Sequence, residues 1–123
     1  MNLRSLFANT NHVQVFQTGS TIFAEGTPGG VMYVVLEGEV EVRVGSTLIE
    51  VIGPGDIVGE MALIDAQARS ATIVAKSECR LALVDEQHFL FMVQETPFFA
   101  LHVMRVLAER LRRWKPSGSL TVA

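Results

Sequence analysis

The apolar and polar residues of this chain follow a strand-like pattern over residues 13–85. Short apolar runs there alternate with turn signals that contain glycine or proline. The clearest run is GEVEVRV at residues 38–44, in which a valine stands at every second position. Because successive side chains of a strand point to opposite faces, Val40, Val42 and Val44 are predicted to share a buried face.

Further apolar runs extend this pattern into a series. They lie at residues 31–37, 47–53, 71–75 and 80–85. Many short strands joined by turns are typical of a sandwich or a barrel. The sequence therefore predicts a mainly β domain over the middle of the chain.

Both ends of the chain carry helical patterns instead. Residues 3–8 are predicted to form one or two helical turns. Asp85 is predicted to cap a helix over about residues 86–95. Pro97 is a suitable first-turn residue for a second helix, predicted over about residues 98–114. We expect a single domain at residues 1–115, with helices following the β region.

The second C-terminal helix has a broad apolar face. Five apolar residues recur there at four- and three-residue intervals: Ala100, Met104, Leu107, Leu111 and Trp114. Three further apolar residues widen this face: Phe99, Val103 and Val106. Part of such a face is expected to pack on the β region, and the rest leaves room for a self-pairing helix. Residues 116–123 are predicted to form a flexible tail.

Composition excludes several classes of protein. With 49% apolar and 19% charged residues, the chain is globular rather than disordered. Its longest apolar runs, such as residues 31–36, are too short to span a membrane. The single cysteine, Cys79, excludes an internal disulfide and fits a reducing cytoplasm. The net charge of −3 argues against direct nucleic-acid binding, which favours a basic face.

The residues needed for catalysis are not grouped in the sequence. Metal-dependent catalysis in a small β-barrel would need clustered histidines, but His12, His88 and His102 have no paired spacing. Cys79 and Ser70 have no evident partner base for nucleophilic attack. We therefore expect neither a metal site nor an enzyme.

The strongest candidate chemistry lies in GDIVGEMALIDAQARSAT, residues 55–72. Here a glycine and Glu60 begin a short helical run, and Arg69 follows nine residues after Glu60 with the hydroxyl of Ser70 beside it. Free amides at a helix start favour an anion, and the planar guanidinium matches phosphate oxygens. A carboxylate nearby can accept hydrogen bonds from ligand hydroxyls. The combination suits a small molecule that carries both a phosphate and a sugar.

This segment resembles the phosphate-binding cassette of the cyclic nucleotide-binding domain family, found in catabolite activator proteins, cyclic-nucleotide-dependent kinases and gated channels. Residues 22–26, 32–42, 54–60 and 103–111 also read like family segments, so the resemblance covers nearly the whole chain. It implies a β-roll (a double-stranded β-helix or jelly roll) with a short phosphate-binding helix and C-terminal helices. It also implies a non-catalytic sensor that binds cAMP or cGMP without a metal.

The resemblance assigns roles to particular residues. Arg69 would grip the cyclic phosphate, and Glu60 would accept a hydrogen bond from the ribose 2′-hydroxyl. At the position of Ser70 the family tends to carry alanine for cAMP and threonine for cGMP, so the base preference stays open. Arg110 or Trp114 would cover the base as a lid. The ligand-binding residues implied are Gly59, Glu60, Met61, Ala62, Arg69, Ser70 and Ala71.

Each of these residues also has a purely structural interpretation. Arg69 can be an ordinary surface arginine, and Glu60 can merely complement the helix dipole. Ala71 can be core filler, and the two lid candidates can be solvated. The chain departs from the family in carrying Ala68 where a proline usually precedes the arginine, and in its short N-terminal helical region.

The resemblance also implies how the domain would signal. Binding would move the C-terminal helix, which often contributes to dimerisation in the family. Few residues follow that helix, so we expect an effector protein in trans or a missing output domain. The alternative function is a ligand-free interaction or dimerisation module of the same fold.

Overall fold

A computed structural model describes residues 3–7 and 10–114 of the chain. The strands are β1 (Val13–Phe16), β2 (Thr21–Phe23), β3 (Val31–Glu37), β4 (Val40–Val44), β5 (Thr47–Ile52), β6 (Ile57–Val58), β7 (Thr72–Ala75) and β8 (Cys79–Asp85). The helices are α1 (Leu3–Leu6), α2 (Glu60–Asp65), α3 (Glu86–Glu95) and α4 (Pro97–Trp114).

The eight strands form two four-stranded antiparallel sheets. Their orders are β1-β8-β3-β6 and β2-β7-β4-β5, so β4 and β5 are consecutive in sequence and the other neighbours in each sheet are not. Tyr33 of β3 pairs with Leu83 of β8, and Val42 of β4 pairs with Ile73 of β7. The predicted β-roll with a short helix and C-terminal helices is confirmed.

One hydrophobic core draws on both sheets. Val35 and Leu81 come from the first sheet, Val40 and Ile73 come from the second, and all four are almost completely buried in one cluster. Full burial of a side chain of this size contributes about 1.5–3 kcal/mol relative to exposure. The alternation of apolar residues therefore holds the two sheets together, and the loops between them are free to carry a site.

The predicted buried face of GEVEVRV is correct for two of its three valines. Val40 and Val42 are buried, but Val44 is 43% exposed. The register between β4 and β5 shifts between Val42 and Arg43, and Val44 adjoins the hairpin turn. The prediction for Val44 is wrong because this valine lies beyond the core at the end of the hairpin.

The chain divides into two compact units, one ending at Phe89 and the next beginning at Leu90. The predicted cap is confirmed, since Asp85 Oδ1 accepts a hydrogen bond of 2.8 Å from the backbone N–H of His88. Pro97 is the first residue of α4, one residue before the predicted start. The predicted tail at 116–123 lies outside the described residues.

Burial on α4 covers part of the predicted apolar face. Phe99 and Val103, which widen that face in the prediction, are buried, whereas Met104 and Leu111 of the four- and three-residue repeat are 59% and 47% exposed. Arg110, which lies outside the predicted apolar face, is also buried. In the part of the chain that the structure describes, no helix is long and apolar enough to cross a membrane.

Candidate functional site

The segment between β6 and β7 begins with a left-handed glycine. Gly59 has φ = +81° and serves as the N-cap of α2 without a side-chain capping bond. Glycine reaches this region readily because it has no Cβ. Glu60 is then the first residue of α2, and its carboxylate side chain is almost completely buried. The sequence prediction that a short helix starts here is confirmed.

Backbone pairing fixes the position of Arg69. Its N–H donates to the carbonyl of Thr27 at 2.9 Å, and its carbonyl accepts from the N–H of Gly26 at 2.9 Å. These two bonds join the segment before β7 to the loop between β2 and β3. Arg69 is only 6% exposed, so its interpretation as an ordinary surface arginine is wrong.

The guanidinium of Arg69 is held by backbone oxygens and an aromatic ring. Nη1 donates to the carbonyl of Gly59 at 3.1 Å, and Nη2 donates to the carbonyl of Val31 at 2.8 Å. Cζ lies 4.0 Å from the centroid of the Phe23 ring. Nε is buried and has no hydrogen-bond partner among the described residues. Such an unsatisfied buried donor typically costs about 1–3 kcal/mol.

The charge of Arg69 is only partly compensated within the fold. Burial lowers the pKa of Arg69 from its usual value, while electrostatic interactions with Tyr33 and Glu60 raise it. A buried cation is stabilised by an anion or by further hydrogen bonds. The unpartnered Nε and the only partly compensated charge therefore suit an anionic ligand such as a phosphate.

Two glycines allow the backbone to approach this guanidinium closely. A Cβ added at Gly29 would lie 2.7 Å from Arg69 Nε and 2.6 Å from the Cβ of Ala62. A Cβ added at Gly59 would lie 2.6 Å from Arg69 Nη1. The β2–β3 loop, the start of α2 and the segment before β7 thus converge on one side chain, and neither position has room for a larger residue.

The other predicted residues of this segment have different surroundings. Ala62 is buried beside Gly29, and Met61 is 40% exposed. Ser70 is exposed next to Arg69. Ala71 is buried in the core cluster, as its packing interpretation predicts. Its role at a ligand stays a prediction.

The two lid candidates lie on α4 in the other unit. Arg110 is buried, so the interpretation of this residue as solvated is wrong. Trp114 is the last residue of the helix, and its side chain lies outside the described part of the chain. Their contribution to a ligand site stays a prediction.

Sequence reasoning did not find all the residues that shape the site. Phe23, Val31 and Gly29 all contact or approach Arg69, although they lie far from it in sequence. The apolar pattern marks Phe23 only as a strand residue, because a strand position gives no sign of which distant charge a ring will meet. Close approach at Gly29 is likewise set by the loop as a whole.

The structure brings together two histidines that the sequence places far apart. The rings of His12 and His88 are 6.1 Å apart between centroids, although their spacing in sequence gives no sign of a pair. They line a cavity of about 160 Å³ with Val31, Leu83 and Asp85. Within the described residues, no group of three potential metal ligands occurs.

The converging loops, the two close glycines and the buried arginine correspond to a known family pattern. Residues 13–96 match the family model described as "Cyclic nucleotide-binding domain". The chain belongs to the cyclic nucleotide-binding domain family. The matched residues include α2 and Arg69, so the family assignment from the sequence is confirmed by a segment that contains the site.

Curated and solved members of the cyclic nucleotide-binding family resemble this chain over most of its length. It is 31% identical over 103 residues to a CRP-like cAMP-activated global transcriptional regulator of Mycobacterium tuberculosis, covering 80% of this chain and 46% of the relative. The crystal structure of Thermus thermophilus catabolite activator protein gives a TM-score of 0.74 at 31% identity, covering 81% of this chain and 49% of that one. The chain therefore spans about half the length of these relatives.

A third cyclic nucleotide-binding relative has been solved in two liganded forms. The cAMP-bound form of the EAL enzyme Bd1971 is 36% identical, with a TM-score of 0.62 over 81% of this chain and 28% of that one. Its cGMP-bound form is also 36% identical, with a TM-score of 0.64 over 82% of this chain and 28% of that one. Domains similar to this chain therefore occur within longer proteins that include a transcriptional regulator and an EAL enzyme.

Proposed function

We propose that this domain is a non-catalytic sensor that binds cAMP or cGMP reversibly, with the cyclic phosphate at Arg69. The observation that carries the proposal is the buried guanidinium of Arg69, whose Nε lacks a partner among the described residues. A phosphate oxygen would satisfy that donor and compensate the charge at once. Charge-assisted hydrogen bonds of this kind are about twice as strong as neutral ones.

The relatives support a cyclic nucleotide as the ligand. The Mycobacterium tuberculosis regulator is described as cAMP-activated, and Bd1971 has been solved with cAMP and with cGMP. The last case supports keeping both bases open for this chain. Ser70, which is exposed beside Arg69, is the residue that we expect to influence the choice of base.

The buried carboxylate of Glu60 supports recognition of a ribose. It lies at the start of α2, and its charge raises the pKa of Arg69, so the two groups act in one electrostatic site. We assign Glu60 the role of accepting a hydrogen bond from the 2′-hydroxyl. Gly59 would let the backbone amides of Glu60, Met61 and Ala62 approach the ligand.

We propose that the domain signals by movement of its C-terminal helix, α4. A ligand shifts this helix only if it binds one conformation better than the other. Arg110 and Trp114 remain the lid candidates. The output would reach an effector protein in trans or a domain outside this sequence, in the cytoplasm.

A homodimer through α4 is supported by its exposed apolar residues. Phe98 and Met104 are 72% and 59% exposed, and Leu101 and Leu111 are partly exposed on the same helix. A second copy of the helix would cover such side chains. Sedimentation velocity should then show a dimer that Met104→Glu converts to a monomer, and a monomeric wild type would contradict this part of the proposal.

Calorimetric titration with cAMP and cGMP tests the binding function directly. Wild type should bind at least one of them saturably, and Arg69→Ala should weaken binding by about 2–5 kcal/mol because it removes the partner of a buried charge. Arg43→Ala is the matched control, since Arg43 is a partly exposed arginine that pairs with Glu41. Failure of wild type to bind either nucleotide would overturn the proposal and favour the ligand-free interaction module.

A further inference from the structure

We infer that Phe23 is a positioning residue of this site, which orients the guanidinium of Arg69 toward the ligand through its aromatic face. The inference rests on the proposed function, because it concerns the same anion site. It adds a residue outside the segment from Gly59 to Ala71 that carried the sequence argument. The juxtaposition behind it is the 4.0 Å between Arg69 Cζ and the Phe23 ring centroid.

The two hydrogen bonds alone would still allow the guanidinium to rotate about one axis. Nη1 and Nη2 are held by the carbonyls of Gly59 and Val31, so both bonds lie along one edge of the planar group. Rotation about that edge would swing Nε without breaking either bond. A ring 4.0 Å from Cζ opposes this rotation, because the guanidinium face keeps its attraction only while it lies over the ring. Phe23 therefore fixes the direction in which Nε points.

The Phe23 ring belongs to a group of three aromatic rings, which we define as Phe16, Phe23 and Tyr33. Phe23 stacks on Tyr33 with centroids 6.0 Å apart and planes inclined by 23°. Tyr33 meets Phe16 edge-on at 6.4 Å and 82°. Such pairs contribute beyond their buried area and restrict ring rotation. The support beneath Arg69 thus extends into the sheet that contains β1 and β3.

An aromatic ring suits this position better than an aliphatic side chain. Burial disfavours the charge of Arg69, and the negative face of a ring partly offsets that cost in a site with little water. A Cβ at Gly59 would lie 3.2 Å from Phe23 Cε2, so the ring also fills the space beside the start of α2. Leucine would fill much of this volume but would provide no such face.

Three variants separate the electrostatic role from simple packing. Calorimetry should show that Phe23→Leu weakens cyclic nucleotide binding by about 3- to 30-fold, the range of a partly desolvated cation–π contact. Phe23→Tyr keeps a ring and should stay within about twofold of wild type. Phe16→Leu is the matched control, since Phe16 packs on the same Tyr33 and its ring contact is with Tyr33 rather than Arg69. It should lower the melting temperature and weaken binding less than Phe23→Leu does, because it removes support for the Phe23 ring but leaves that ring against Arg69.

A ligand-free measurement makes the test independent of the binding function. In a ¹⁵N–¹H spectrum of arginine side chains, the Nε proton of Arg69 should be displaced by the ring current of Phe23, and Arg69→Lys identifies its resonance. The displacement should persist in Phe23→Tyr and disappear in Phe23→Leu. An unchanged shift and unchanged affinity in Phe23→Leu would overturn the inference alone. Equal losses of affinity in Phe16→Leu and Phe23→Leu would also overturn it, whereas absence of wild-type binding would overturn the proposed function and this inference with it.

Discussion

Two arginines in different regions of the β-roll are held in similar ways but have opposite consequences. In the β4–β5 hairpin, Arg43 donates from Nε and Nη2 to Oε1 of Glu41 at 3.3 and 3.1 Å. In the loop before β7, Arg69 donates from Nη1 and Nη2 to two backbone carbonyls. The side chain of Arg43 is 35% exposed, whereas Arg69 is 6% exposed.

The difference lies in what neutralises the charge. Arg43 meets a carboxylate in partial contact with water, and such a pair is worth about 0–1 kcal/mol. Carbonyl oxygens accept from Nη1 and Nη2 of Arg69 but carry no net charge, and burial lowers the pKa of Arg69 although Glu60 acts against that shift. A buried cation without a full counter-charge is costly. Arg43 therefore has its own counter-charge in the hairpin, whereas under the proposed function an anionic ligand would add to the partial counter-charge that Glu60 supplies to Arg69.

Among substitutions that leave Arg69 itself in place, the largest expected effect on binding comes from adding one methyl group beside its guanidinium. Gly29→Ala would place a Cβ 2.7 Å from Arg69 Nε and 2.6 Å from Ala62 Cβ, so the loop or the guanidinium must shift. We expect calorimetry to show about tenfold weaker cyclic nucleotide binding or worse, in line with overpacking costs of about 1–3 kcal/mol.

The neighbouring glycine supplies the control for this prediction. A Cβ at Gly30 would meet nothing within 4 Å, so Gly30→Ala should bind like wild type. Equal affinities of Gly29→Ala and wild type would show that the space around Arg69 Nε does not matter for the ligand. The difference between Arg43, which has its own counter-charge, and Arg69, whose charge is only partly compensated, would then have no bearing on ligand binding.

A smaller effect is expected when Glu60 loses its charge. We expect Glu60→Gln to lower the ratio of the affinities for cAMP and 2′-deoxy-cAMP relative to wild type. The reason is that an amide accepts a hydrogen bond less strongly than a carboxylate, by about 1 kcal/mol. The pKa of Arg69 should also fall further, because the charge of Glu60 raises it. Competition titrations with the two nucleotides measure the ratio.

Asp65→Asn removes a carboxylate from the exposed far end of the same helix and is the control for Glu60→Gln. It should leave the ratio of the two affinities unchanged. If Glu60→Gln weakened both nucleotides by the same factor, the carboxylate would serve the helix start and the charge of Arg69 rather than the ribose.

Much of the scaffold can be predicted from the sequence because its signals are local. The alternation of valines predicts β4, and Asp85 and Pro97 mark the starts of α3 and α4. The prediction from alternation fails at Val44. This valine follows a register shift and lies at the end of the hairpin, beyond the core. Residue types at short spacing also identify Glu60 and Arg69 as candidates.

The surroundings of Arg69 could not be predicted, because they come from long-range contacts. Whether an arginine is solvated or buried depends here on Val31, Phe23 and Gly29, which lie on or beside other strands. Long-range contacts also explain why the rings of His12 and His88 lie close together, since β1 pairs with β8. Sequence spacing carries no information on such encounters.

The smallest expected effect belongs to the hairpin. Arg43→Gln removes a half-exposed ion pair with Glu41, so the free energy of unfolding should fall by less than about 1 kcal/mol, as for other surface pairs. Chemical denaturation at about 0.05 and 0.5 M salt should show the difference shrinking at the higher concentration, where charges are screened over a few ångströms. Cyclic nucleotide affinity should stay at the wild-type value at both salt concentrations. A loss of affinity comparable to that of Gly29→Ala would mean that the hairpin charge also acts on the ligand, and the two arginines would not differ in the way their surroundings indicate.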